Sequence, residues 1–185
     1  MAVLRRLVIA LVLCASVLKA PPHLVIATEL SEYQLKAAFL ANFAKFVEWP
    51  AHSFPEGSAP VQMAIVGDDP FGRDLDDTIR GKLLQGHPMV VKRVHWRDDL
   101  TGFHIAFISA SDRSHLAEIL QRLESASVLT VSDIDGFCAA GGVIAFVMAD
   151  ERIRFEVNVD AAQRRGLKIS SKLLSLATTV HTKGN

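Results

Sequence analysis

Cysteine is nearly missing from this sequence. Of the two in 185 residues, Cys14 lies close to the start and Cys138 stands far from it, so no internal framework of disulfides can hold the fold together. An excess of charge of either sign is missing too, with 20 basic residues against 20 acidic ones. That balance removes the electrostatic footprint of a nucleic-acid-binding protein. Beyond the first residues there is no uncharged run approaching the roughly 20 apolar residues of a spanning helix. The seven histidines have none of the close spacings of a metal-binding motif, so no metal ligands are assigned. Gly141-Gly142 lacks the flanking pattern of a dinucleotide or phosphate loop and reads as a tight turn before a strand.

What the chain does have at its start is Arg5-Arg6 followed by the apolar stretch 7–18 and the triplet Val25-Ile26-Ala27. This is the charge, apolar core and small-residue order of a secretory signal peptide, with cleavage expected after Ala27. Leu13 stands where a lipobox before Cys14 needs a small residue, so lipidation is not expected. The expectation is a leader over 1–27 and one exported domain over 28–185, located in the periplasm. Removing the leader takes away Arg5, Arg6 and Lys19 and leaves a mildly acidic chain in which Cys138 has no partner. A buried, inert thiol is the expected state.

From 31 to 49 apolar residues recur at helical spacing, with Ser31 placed to cap the first turn and Pro50 to stop the helix. The polar stripe of Gln34, Asn42, Lys45 and Glu48 is narrow, so the wide apolar remainder is either buried in the domain's own core or leaves one flank to meet another chain, a second copy included. Strands are predicted at 61–67, 88–94, 104–109 and 127–133, with helical stretches after the first and third. That alternation predicts a mostly parallel sheet with helices on both faces, a single three-layer α/β domain. Residues 143–158 read as two strands joined by a turn at Asp150-Glu151, an antiparallel hairpin that brings the sheet to about six strands. After it, Asp160 with Gln163 predicts a capping box for a short helix ending at Gly166, and Ser170 the cap of a final helix reaching Val180.

No catalytic residues emerge. Ser171 and Lys172 suit a nucleophile and its base by type, but as neighbours on a helix they point about 100° apart. Arg164-Arg165 reads as a solvated basic end of a short helix. Two surfaces stand out instead. Asp68, Asp69, Ser109 and Asp133 follow three predicted parallel strands and would line a small-ligand crevice at their carboxyl ends. Phe46 and Trp49 at the end of the first helix, and Arg154 on the polar face of the hairpin, have the aromatic and arginine composition of interface hot spots.

Four separated segments, "EYQLKAAFLANFAKFVEWP" (32–50), "IVGDDPFG" (65–72), "LTVSDIDGFCAAGGVIAFV" (129–147) and "RFEVNVDAAQRRGLKISSKLLSLA" (154–177), occur in the order in which they resemble the YfiR-like family of exported bacterial proteins. The resemblance implies a periplasmic regulator without enzymatic activity or cofactor. In the namesake system such a protein binds the periplasmic sensory domain of an inner-membrane diguanylate cyclase and holds it inactive, lowering cyclic di-GMP and biofilm formation. The namesake also carries disulfides implicated in a redox response, and there this sequence departs, because Cys138 is alone in the mature chain. A periplasmic small-ligand module is the other reading of the same chain.

Overall fold

The computed structural model describes residues 31–54 and 59–182; the expected leader and Cys14 lie outside them. Helix α1 (Glu32–Phe43) begins with a reciprocal cap. The Ser31 hydroxyl accepts the Gln34 N–H at 3.2 Å, and the Gln34 side chain accepts the Ser31 N–H at 3.0 Å. The helix is shorter than its periodicity suggests. A 3-10 turn (Ala44–Phe46) leads into a two-residue strand β1 (Val47–Glu48), which pairs antiparallel with β9 (Lys168–Ile169). The pull of that partner, supplied by the far end of the chain, ends the helix before Pro50 is reached.

The main sheet is built from β2 (Val61–Val66), β3 (Leu83–Leu84), β4 (His87–Val94), β5 (Ile105–Ile108), β6 (Leu129–Ser132), β7 (Ile144–Ala149), β8 (Arg152–Asn158) and β10 (Thr179–His181). They lie in the order β10-β8-β7-β6-β5-β2-β4-β3. The run from β4 to β7 is parallel, whereas β8 returns antiparallel to β7. The mostly parallel sheet and its hairpin are therefore as expected, with eight strands rather than about six. The additions are the short edges β3 and β10.

Alternation along each buried strand divides the core in two. Met63, Ile65, Ile105, Phe107, Leu129 and Val131 face one side, where α1, α2 (Arg73–Ile79), α4 (Val159–Arg164) and α5 (Ser171–Leu174) cover them. Ala64, Val66, Ala106 and Ile108 face the other side, covered by α3 (Leu116–Arg122) and the loop carrying Ile134, Phe137 and Cys138. Small residues on that second face let the loop lie close. A Cβ on Gly142 would stand 2.1 Å from the Phe137 ring, so only glycine permits this approach.

Three details of the C-terminal region differ from expectation. The α4 cap is Asn158, whose side chain accepts the Ala161 N–H at 2.8 Å, and not Asp160. Asn158 ends β8 in extended conformation, as an N-cap must, so the helix starts earlier. Arg165 is 2% exposed; its guanidinium donates to the Ala161 carbonyl at 2.9 Å, so it is a buried cation and not a solvated end. The final helix stops at Leu174, and Thr179–His181 extends along β8 instead, since edge pairing there satisfies more backbone than another exposed helical turn. Among the described residues no helix is long and apolar enough to cross a membrane.

Candidate interaction surface

The strand order reverses between β2 and β5, which makes the gap beyond their carboxyl ends the usual crevice of such a sheet. Here it is filled by the chain itself. Gly67 has φ +87°, and a Cβ on it would stand 2.4 Å from the Asp112 carboxylate and 2.5 Å from the Ser111 hydroxyl. The Ser111 hydroxyl also accepts the Asp68 N–H at 2.9 Å. Asp69 caps the Phe71 and Gly72 amides and takes the Arg93 Nε at 2.8 Å, while the same guanidinium binds Asp76. The Arg93 bond holds Asp76 below the ordinary aspartate pKa, and Asp76, then Asp69, hold Arg93 above the ordinary arginine value. Ser109 is buried. Asp68, Asp69, Ser109 and Asp133 thus share the carboxyl edge, but the cavity that reaches Asp133 has none of the other three among its walls.

Asp133, just after β6, is bound by side chains of α1. It accepts the Tyr33 hydroxyl at 3.0 Å and the Lys36 ammonium at 2.7 Å, and Lys36 also meets Glu32. Lys36 is only 5% exposed, a charge buried because it is paired on both sides. Burial acts against its protonation, but the bonds to Asp133 and Glu32 outweigh it and leave the pKa raised. Burial, then Asp133, raise that of Tyr33. This network fixes the first turns of α1 over the carboxyl edge and opens a groove between the helix and the β7–β8 hairpin.

The groove consists of two adjoining cavities of about 380 and 360 Å³ that share Glu32 and Met148. Leu35, Phe39 and Phe146 supply apolar walls, and Arg152 and Arg154 stand at the rim. Phe39 is anchored at 6.2 Å from Phe146 and 5.9 Å from Phe155, ring to ring. Met148 is 61% exposed, one of three large apolar side chains left so open among the described residues. Apolar walls, an exposed methionine and arginines at the rim are the makings of a protein-docking surface.

Of the three residues expected at an interface, only Arg154 lines this groove. Phe46 lies near the other end of the helix, half-buried, with the Lys172 ammonium 5.7 Å from its ring. Trp49 is buried, packed edge-on against Phe54 and beside His104, and is a core contact of this chain. Its aromatic type at the end of the apolar helical stretch pointed to an interface; Phe54, folding back after Pro50, packs on it instead.

A model of the YfiR/HmsC-like family matches residues 33–178. The chain belongs to the YfiR/HmsC-like family. The match runs from the first turn of α1 to the residue before β10, and so includes every residue of the groove except Glu32. Among solved structures the fold is similar to a conserved domain protein from Vibrio cholerae O1 biovar El Tor, with a TM-score of 0.57 at 9% identity. The similarity covers 82% of this chain but only 60% of that one, and at such identity it speaks for the fold alone.

Sequence reasoning missed Lys36, Leu35 and Met148 as parts of one surface. Lys36 sits in the apolar sector of the helix, and that misplacement was the available signal: a lysine there needs a buried acid, which Asp133 supplies.

Proposed function

We propose that this protein is a periplasmic regulator, exported by cleavage after Ala27, that binds the periplasmic sensory domain of an inner-membrane diguanylate cyclase and holds the enzyme inactive. Family membership over residues 33–178 is the observation that carries the reading. It acts by binding and not by catalysis, favouring the inactive conformer through its higher affinity for that state. The docking surface is the groove between α1 and the hairpin, with Met148 and Arg154 as its centre and rim. Phe46, in the 3-10 turn that follows α1, serves self-association or a secondary contact.

The test is a binding titration with the periplasmic domain of a membrane-anchored cyclase encoded beside this gene. Arg154→Ala and Met148→Glu should fold as wild type and each weaken binding at least tenfold, about 1.4 kcal/mol. Binding within a factor of about two for both variants, about 0.4 kcal/mol, would remove the groove as the interface. Failure of the wild type to bind, with cyclic di-GMP unchanged on deleting the gene, would remove the regulatory reading itself.

A further inference from the structure

The face of the sheet opposite α1 carries a side-chain cluster that the regulatory reading does not use. Cys138 lies in the loop after β6, Glu156 on β8 and His181 on β10. The parallel register sets Thr179 beside Glu156 and His181 beside Asn158, so Glu156 and His181 are diagonal neighbours on one face. His181 Nε2 lies 3.0 Å from the Glu156 carboxylate. The loop brings the thiol up to the same place: the Asn158 side-chain amide donates to the Cys138 carbonyl at 2.8 Å, and Sγ lies 3.7 Å from the Val143 and Glu156 carbonyls. One donor atom from each of the three residues lies within 4.8 Å of the others.

We propose that Cys138, Glu156 and His181 form a binding site for one borderline-soft divalent cation, with Zn²⁺ the best fit. A sulfur, a nitrogen and a carboxylate oxygen form a donor set that selects Zn²⁺ over Mg²⁺ or Ca²⁺, which take oxygen ligands. Metal–donor distances of about 2.0–2.3 Å put the donors of a tetrahedral site about 3.3–3.7 Å apart. Closing by about an ångström from the present separations needs only side-chain rotation, and Glu156 and His181 are partly exposed and free to turn. Thiolate and carboxylate together neutralise the ion, and the fourth position faces solvent, on the side where Glu156 and His181 are open.

The thiol is inert without the metal. Burial, with Glu156 adding to it, pushes its pKa up to about 12. Coordination replaces the thiol proton, which leaves to solvent, and the imidazole binds through Nε2 with its remaining proton on Nδ1. The ion ties the loop, the hairpin strand and the edge strand β10 together at the end of the chain, where otherwise only a three-residue strand closes the sheet.

The experiment uses the untagged mature chain, stripped with chelator and titrated with Zn²⁺ and Co²⁺. One equivalent should bind, Co²⁺ should show tetrahedral bands with a thiolate charge-transfer band, and Zn²⁺ should raise Tm by several degrees. His181→Gln and Cys138→Ser should each weaken Zn²⁺ binding at least tenfold and lose the Tm rise. Because Cys138 is in the core, His181→Gln, at a partly exposed position, decides the matter if Cys138→Ser fails to fold. An oxygen-only Co²⁺ spectrum, a Zn²⁺ affinity unchanged in His181→Gln, or no Tm shift in the wild type overturns the site.

Discussion

Asp133 shows how one side chain can be claimed by structure before it is free for a ligand. Its place after a parallel strand is where a crevice residue belongs. The competing claim is Lys36, which the helix pushes into an apolar setting where an unpaired ammonium is intolerable. Asp133→Asn should therefore cost about 3 kcal/mol, because it strands a buried charge. Glu32→Gln, which removes the partly exposed partner of the same lysine, should cost under about 1 kcal/mol. Urea melts at neutral pH measure both, and equal losses would mean that Lys36 depends on neither partner in particular. The pairing was within reach of the sequence only as a question, since the periodicity marks Lys36 as misplaced without saying which acid answers it.

At the scale of elements, the hairpin was the most legible part of the chain, because Ile153, Phe155 and Val157 alternate with polar residues on a period of two. The structure shows that its turn is made of two L-residues in left-handed conformation, Asp150 at φ +50° and Glu151 at φ +58°. Both angles are demanded by the two-residue connection that sets Ala149 opposite Arg152. Glutamate tolerates this poorly, so Glu151→Gly should raise stability by about 1 kcal/mol, read as an increased Tm with an unchanged circular dichroism spectrum. A fall in Tm would show that the Glu151 side chain does more at the groove than its backbone costs. The short strands β1, β3, β9 and β10 were illegible for a common reason. Each has two or three residues and no period of its own, and forms only because a partner's backbone is waiting. The last helix was over-extended for the same reason, its apolar spacing through Val180 being equally compatible with a strand edge.

For the whole molecule, the sequence yielded the class and the layering, because buried parallel strands and amphipathic helices announce themselves. It could not yield the groove, which joins α1 to a hairpin more than a hundred residues away. Global stability should also depend on pH through one buried histidine at the end of the sheet opposite the groove. His104 accepts the Gln62 N–H at Nδ1, 3.2 Å, and faces the Ser53 carbonyl with Nε2 at 2.8 Å, so it is neutral with the proton on Nε2. Burial lowers its pKa from 6.5. A histidine depressed in the folded state takes up its proton first in the unfolded chain. Its contribution is complete above about pH 6.5 and is lost as pH falls from there through the lowered folded value. His104→Gln keeps an acceptor and a donor but cannot titrate, so the loss of Tm between pH 7 and pH 5 should shrink in that variant. An identical loss would assign the pH dependence to other groups.

The small sheet of β1 and β9 has a consequence for the order in which the chain can fold. Val47 and Glu48 find their partners only at Ile169 and Lys168, and the Phe46 carbonyl accepts the Ser170 amide at 2.9 Å. Phe43, the buried end of α1, packs on Phe155 at 5.1 Å. The first described helix is thus sealed by elements more than a hundred residues further along the chain, and contacts so distant in sequence close slowly. A chain stopped before β8 would leave that helix Phe146 but neither Phe155 nor the β9 partner. The seam between the two ends of the fold therefore closes late, and burial of the end of α1 reports that β8 and β9 are already in place.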